Sequence, residues 1–415
     1  MKKFSAFILG TFLILFFPIF SFSQGAARNE AIQLVQQGDN LRRMAKFQEA
    51  HFAYSNAISA DRSFADAYMK RAILNRMLSQ NQEAMADYNE AIRLNPYSEY
   101  IYDKRAKLKM MAMDYVGALN DIDKAIAINP QNDNMRDIRA NELIALGRYE
   151  KALKDIDTLM HHNYRPENEF EKKALIYLLK KDFTSSRNYI DSALSINPAS
   201  SLAYDLLGVN YLQQRDLKAA KAAFSKAISI NPDFAMAYYN RAIAHRYLDD
   251  SKAAMQDLNK AIEVNQDIRN IYFTRAVIRK EMGDIPGAVE DYDKALVIDS
   301  DYTDALYNRA FALKFLGDYT NALKDAEEIV KIEPNSPAHW NLKGNIHLLF
   351  GEYDRAIDAY SEAISLDVDY VQAYYNRGLA YVMSHRPTWG CDDLQRCLNL
   401  EYEKADEVFK NFCGN

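Results

Sequence analysis

Cysteine is nearly missing from this chain. Three cysteines occur in 415 residues, all after residue 390, too few for a disulfide-stapled fold. They form no Cys-x-x-Cys pair, which argues against a zinc site. The seven histidines are scattered, and the one adjacent pair, His161-His162, falls in a polar connecting stretch and reads as solvated rather than as ligands. There is no His-Glu-x-x-His, no glycine-rich phosphate loop and no Gly-x-Ser-x-Gly. Glycine (14) and proline (10) are too rare for a low-complexity chain. Beyond residue 20 no apolar run is long enough to span a membrane. Basic excess is also missing: the formal net charge is −6, which gives no reason to expect nucleic acid as a partner. No metal or cofactor is expected, and nothing marks an enzyme.

The N-terminus differs from the rest. Lys2 and Lys3 precede an apolar stretch from Phe4 to Phe20, and Ser21 and Ser23 supply small residues before Gln24. This is the outline of a secretory signal peptide, residues 1–23, cleaved before Gln24. The alternative fate is an uncleaved anchor, against which stand the shortness of the run and Pro18. The short Lys-Lys start resembles bacterial export signals, so the expected location is the periplasm or another part of the cell envelope. Cleavage removes two lysines and leaves a net charge of −8.

What the chain has in abundance is a period. A small residue recurs every thirty-four positions: Ala50, Ala84, Ala118, Ala152, Ser186, Ala220, Ala254, Ala288, Ala322, Ala356, Gly390. A second series runs seven residues later, from Ala57 through Ala91 and Ala125 to Cys397, with Leu159 and Ile329 as its large exceptions. A gapless period of this length predicts an all-α solenoid of stacked helix-turn-helix units. After a linker, residues 24–30, eleven units fill residues 31–404, beginning at 31, 65, 99, 133, 167, 201, 235, 269, 303, 337 and 371. In the unit at 201–234, Tyr204, Gly208 and Tyr211 share one face of a first helix, and Ala220, Phe224 and Ala227 one face of a second. Asn231-Pro232 stops the second helix, as do Asn95-Pro96, Asn129-Pro130, Asn197-Pro198 and Glu333-Pro334. Gly147, Gly283, Gly317 and Gly351 mark the turn between the two helices.

These residues resemble the tetratricopeptide repeat family, whose pattern is aromatic, Leu-Gly and aromatic in the first helix, then Ala, aromatic, Ala and Pro. Trp340, Gly344, Ala356, Tyr360 and Ala363 match it in the unit at 337. The resemblance covers about nine tenths of the chain and implies antiparallel helix pairs wound into a right-handed superhelix with a concave inner groove. Residues 405–415 read as a capping helix and tail, with Ala405, Val408, Phe409 and Phe412 at helical spacing. The units at 133 and 167 depart most: Arg136, Leu159 and Tyr164 take slots that the pattern gives to an aromatic, a small residue and proline. The stretch HHNYRPENEF between them reads either as drift or as a hinge.

The seventh position of the unit is arginine in seven units: Arg71, Arg105, Arg139, Arg241, Arg275, Arg309 and Arg377. Sixteen residues later each has an aspartate: Asp87, Asp121, Asp155, Asp257, Asp291, Asp325 and Asp393. The four units without the arginine also lack the aspartate, carrying Gln37 with Ala53, Lys173 with Tyr189, Leu207 with Ala223 and Lys343 with Ala359. This covariation within one sequence predicts structural ion pairs inside each unit rather than a row of anion-binding arginines.

The resemblance implies that the second, fifth, ninth and twelfth positions face the groove. The fifth is acidic in four successive units (Asp103, Asp137, Glu171, Asp205) and aromatic in Tyr239, Phe273, Tyr307 and Tyr375. Beside those rings the ninth position is apolar (Ile243, Val277, Phe311) and the twelfth basic (Arg246, Lys280, Lys314). An aromatic stripe edged with positive charge suits an extended peptide with apolar and acidic side chains. The competing reading packs these rings into the core. Chaperone-tail adaptors of the family need lysine in a fifth position, and no unit has one; Asn240, Asn308 and Asn376 in sixth positions do not supply that clamp.

Cys397 sits in the small-residue series and is expected to be buried, whereas Cys391 and Cys413 are placed to form a disulfide across the capping helix in an oxidising compartment. The expected function is a non-enzymatic scaffold of the cell envelope that binds unidentified protein or peptide partners. The alternative is an enzyme-associated or carbohydrate- and peptidoglycan-binding protein that stacks sugar rings on the aromatic stripe. Composition leaves the oligomeric state open.

Overall fold

The computed structural model describes the backbone of residues 9–414 and the side chains of residues 25–414. The signal segment thus lies outside the residues whose side chains are described. The described residues are helical throughout, without strands. Helices α1 (Leu9–Arg43), α2 (Phe47–Ala60), α3 (Ala65–Met77), α4 (Asn81–Leu94), α5 (Glu99–Met111), α6 (Tyr115–Ile128), α7 (Asp133–Ala145), α8 (Tyr149–His161), α9 (Pro166–Leu179) and α10 (Phe183–Ile196) form an N-terminal half. The C-terminal half begins at Asn197 and holds α11 (Ser201–Gln213), α12 (Leu217–Ile230), α13 (Ala235–Tyr247), α14 (Ser251–Val264), α15 (Arg269–Glu281) and α16 (Ile285–Ile298). It continues with α17 (Thr303–Phe315), α18 (Tyr319–Ile332), α19 (Pro337–Leu349), α20 (Tyr353–Leu366), α21 (Val371–Met383), α22 (Pro387–Asn399) and α23 (Lys404–Cys413). Within each half, consecutive helices pair as hairpins and each hairpin packs on the next.

Local chemistry sets the ends of these helices. Six second helices start on an aspartate whose carboxylate accepts the backbone N–H three residues on: Asp114, Asp182, Asp216, Asp250, Asp284 and Asp318, at 2.8–3.2 Å. The turn within each hairpin needs one left-handed residue. Glycine supplies it at Gly147, Gly283, Gly317 and Gly351, and Ala45, Ser79, Met113, Lys181, Arg215, Asp249 and His385 accept the same conformation at φ of 57–64°. At the far end of the second helix, the side chains of Asn95, Asn129, Asn197 and Asn231 accept the N–H two residues on. That favours asparagine before the helix-stopping proline, with Glu333-Pro334 the exception.

The two periodic series lie where helices meet. Every member of both is buried, and Ala50, Ser186, Leu159 and Ile329 alike have no exposed surface. Core clusters repeat along each half around them, such as Ala84, Tyr88, Ala91 and Leu108 in one and Ala322, Ala326, Ile329 and Ile346 in the other.

The structure departs from sequence expectation at three places. Residues 24–30, expected as a linker, lie inside α1, because Arg28 is held by Asp61, donates to Ser63 Oγ at 3.0 Å and stacks 4.7 Å over the Phe64 ring. In the HHNYRPENEF stretch residues 162–165 alone form a tight turn between α8 and α9, inside the N-terminal half, with Asn163 and Arg165 at positive φ, and the division between halves falls instead after Ile196. In α23, Ala405, Val408 and Phe409 pack around Leu394 and Cys397, but Phe412 is exposed. A disulfide joins Cys391 to Cys413 with the Cα atoms 5.6 Å apart. No described helix is long and apolar enough to cross a membrane.

Candidate functional site

The arginine row comes first, because it decides which cations are free. Arg71 donates through Nε and Nη2 to both oxygens of Asp87, at 2.8 and 2.7 Å. The same fork joins Arg105 to Asp121, Arg139 to Asp155, Arg241 to Asp257, Arg275 to Asp291, Arg309 to Asp325 and Arg377 to Asp393. All seven aspartates are buried. The remaining guanidinium nitrogen, Nη1, reaches back sixteen residues to the preceding hairpin. Its acceptors are Ser55, Asn89, Asp123, Ser225, Asn259, Asp293 and Ser361, at 2.6–3.1 Å. One arginine therefore closes its own hairpin and ties it to its neighbour. With both sides of the fork engaged, little is left to hold a ligand anion.

The groove positions are less free than their spacing suggests. Tyr239 packs against the cluster around Leu258 and Ile271, and Phe273 lies 5.2 Å from Tyr302 and 5.8 Å from Tyr292, centroid to centroid. Tyr307 stands 5.8 Å from His339, and Tyr375 meets Tyr402 at 5.4 Å. All four rings are half-buried, as are Ile243 and Val277. Phe311 differs: it is 45% exposed.

Two of the three cations of the basic edge are engaged by the next hairpin. Arg246 forks onto Glu281 at 2.5 and 3.2 Å, and Lys280 donates to Asn308 Oδ1 at 2.9 Å. Lys314 has neither an ion-pair nor a hydrogen-bond partner among the described residues; its ammonium sits 4.5 Å over the Phe311 ring, and burial lowers its pKa. The site in the C-terminal half thus narrows to an exposed ring carrying an uncompensated cation. Sequence spacing ranked Phe311 and Lys314 with their neighbours, because the partners of Arg246 and Lys280 come from the next hairpin.

The acidic positions are likewise engaged. Asp103 pairs with Lys104 and Lys107, at 2.9 and 2.8 Å, Asp137 pairs with Lys172, and Glu171 is buried. Asp205 is 6% exposed and meets a neutral group, Asn240 Nδ2, at 3.0 and 3.2 Å from its two oxygens. Burial pushes its pKa from 3.8 up to about 6, outweighing the hydrogen bond. A carboxyl whose folded pKa is raised contributes its stability below pH 3.8 and loses it as the pH climbs through 6. Asp205→Asn is therefore expected to be more stable than the parent at pH 8, by about 2 kcal/mol, with the gap closing towards pH 4. Thermal melts of both proteins across that range check this; a gap independent of pH contradicts it.

At the C-terminus Cys397 is buried and its thiol pKa is pushed up to about 12, which makes it an inert core residue. No group of acidic, histidine or cysteine side chains among the described residues is arranged to hold a metal ion.

The geometry defines a helical-hairpin repeat protein. Tetratricopeptide repeat models match residues 35–99, 201–234, 235–268 and 303–336, and a TPR repeat model matches 278–317 and 344–384, together more than half of the chain. The chain belongs to the tetratricopeptide repeat family. Among solved structures it is similar to a tetratricopeptide repeat protein from Parabacteroides merdae ATCC 43184. The identity is 20% over 60% of this chain and 97% of that one, with a TM-score of 0.41. It is also similar to MamA from Desulfovibrio magneticus RS-1 (19% identity, 41% of this chain and 96% of that one, TM-score 0.39). A third similar structure is YrrB, described as a TPR protein with an unusual peptide-binding site (17% identity, 44% and 95%, TM-score 0.41). At these identities the likeness concerns the fold alone. No curated protein matches the chain.

Proposed function

We propose that this protein is a non-enzymatic interaction scaffold of the bacterial cell envelope, which holds an extended segment of a partner protein along the C-terminal half. Phe311 and Lys314 carry this reading. An exposed aromatic face beneath an ammonium without a carboxylate partner offers both halves of a contact with an acidic, apolar peptide. The family supports protein binding as the class of activity. Export is supported by the Lys2-Lys3 start, the apolar stretch that follows and the Cys391–Cys413 disulfide, a pairing that persists in oxidising compartments. The saccharide alternative loses support because Tyr239, Phe273, Tyr307 and Tyr375 turn much of their surface to neighbouring side chains instead of to a sugar.

The test is affinity capture from the organism's own envelope extract, with the parent and with Phe311→Ala/Lys314→Gln. Phe311 is exposed and Lys314 is half-buried without a polar partner, so melting should shift by no more than about 1 kcal/mol. Recovery of the bound protein is expected to fall about tenfold in the variant. Equal recovery from both removes the C-terminal groove as the site.

A further inference from the structure

A cleft of about 370 Å³ opens in the N-terminal half between α6, α7 and α8. Its residues are not groove positions of the repeat. Its floor is apolar: Leu119 is 5% and Leu143 4% exposed, and Val116 stands at the rim, 60% exposed. Over that floor stand Arg139, Arg148, Lys151 and Lys154. Arg139 is saturated by Asp155 and Asp123. The side chains of Arg148, Lys151 and Lys154 have no hydrogen-bond or ion-pair partner among the described residues. Three free cations in one cleft are unusual in a chain of net charge −6.

The helix start makes the point sharper. Arg148 occupies the N-cap of α8, the place where six other second helices carry a capping aspartate. An arginine cannot accept the free N–H groups there, and its charge adds to the positive end of the helix dipole. Among the second helices of the hairpins, the two other cationic N-caps are neutralised: Lys46 by Glu49 at 3.3 Å and Arg386 by Asp354 at 2.6 Å. Among the second helices of the described hairpins, α8 alone has a cationic N-cap with no carboxylate partner. A local rule broken without internal compensation marks a place that works on something external.

We propose that this cleft binds an acidic segment of a partner protein, with carboxylates on Arg148, Lys151 and Lys154 and an apolar side chain on Leu119 and Leu143. A protein segment fits better than a nucleic acid. The floor of the cleft, Leu119 and Leu143, is apolar and suits an aliphatic side chain, and no aromatic ring lines the cleft to stack a base. The site is separate from Phe311 and Lys314 and does not depend on the groove reading.

The test is fluorescence anisotropy on the whole protein with a labelled peptide of core sequence Glu-Glu-Leu-Glu, its Gln-Gln-Leu-Gln counterpart and a labelled oligothymidine. The variant Arg148→Asp/Lys154→Ala removes two cations and restores the cap, so it should melt no lower than the parent. The acidic peptide is expected to bind the parent, to weaken as salt rises, and to lose about tenfold in affinity in the variant, while the glutamine peptide does not bind. Equal affinity of parent and variant, or equal affinity of the two peptides, overturns the proposal. So does tighter binding of the oligothymidine that is lost in the same variant. Loss of the acidic peptide in Phe311→Ala/Lys314→Gln instead would move it to the groove, which also overturns the cleft.

Discussion

Asp291→Ala is expected to cost the C-terminal half about 3–5 kcal/mol, read as an earlier chemical or thermal unfolding transition. Asp291 is 1% exposed and receives both nitrogens of the Arg275 fork, while Arg279 Nη1 lies 3.2 Å from its second oxygen. Truncation leaves two arginines without their shared carboxylate, one of them between two helices with little access to water. The penalty is chiefly this stranded charge, not the loss of a favourable pair. Removing both ends at once, with Arg275→Met/Asp291→Leu, should therefore recover most of the stability. Asp123→Ala is the contrast: its carboxylate accepts only the outer Arg139 nitrogen and is largely solvated, so the loss should stay below about 1 kcal/mol. An unfolding transition unmoved by Asp291→Ala would mean that the forks do not hold the hairpins.

The second large effect reverses an ordinary rule. Glycine inside a helix is normally improved by alanine, by about 1 kcal/mol. Gly208, in the middle of α11, should behave oppositely. A Cβ there would stand 2.4 Å from the Phe224 ring, which is fully buried and cannot swing away. Gly208→Ala should destabilise by about 1–3 kcal/mol, and Gly208→Val by more, since overpacking forces either the ring or the helix to move. The same contact recurs at Gly38 on Tyr54 and at Gly344 on Tyr360. These three glycines belong to hairpins that lack the arginine fork, carrying Gln37, Leu207 and Lys343 in its place. Two devices thus close the hairpins: a bidentate ion pair, or a ring seated directly on helix backbone. The hairpin of α9 and α10 uses neither, with Lys173 paired to Asp157 and a buried Ala174 in the place of the glycine. A higher melting temperature in Gly208→Ala would contradict this division.

Much of the frame can be read from the sequence because the repeat is its own control. Eleven aligned copies let Arg71 be compared with Gln37 and Asp87 with Ala53, so the pairing shows as covariation without any other sequence. The structure brings the same residues within hydrogen-bond distance. What the repeat does not reveal is contact between copies. The reach of each arginine to the preceding hairpin, the pairing of Arg246 with Glu281 and the seating of Phe273 against Tyr302 depend on how far one hairpin rotates on the next. That rotation turned an expected aromatic stripe edged with charge into one exposed ring and one free ammonium. The cleft at α6–α8 had a signal in the sequence, the exchange of an N-cap aspartate for Arg148. It is visible only when N-cap positions are compared across copies, and it becomes a site only once Lys151 and Lys154 are seen to lack partners.

The account separates residues that build the frame from residues that meet a partner. The direct test measures melting and partner recovery together for Asp291→Ala and for Phe311→Ala/Lys314→Gln, at a temperature where both remain folded. The account predicts a lowered melt with retained partner for the first, and an unchanged melt with lost partner for the second. An unchanged melt with lost partner in Asp291→Ala would contradict it, because the arginine row would then be the binding surface rather than the frame.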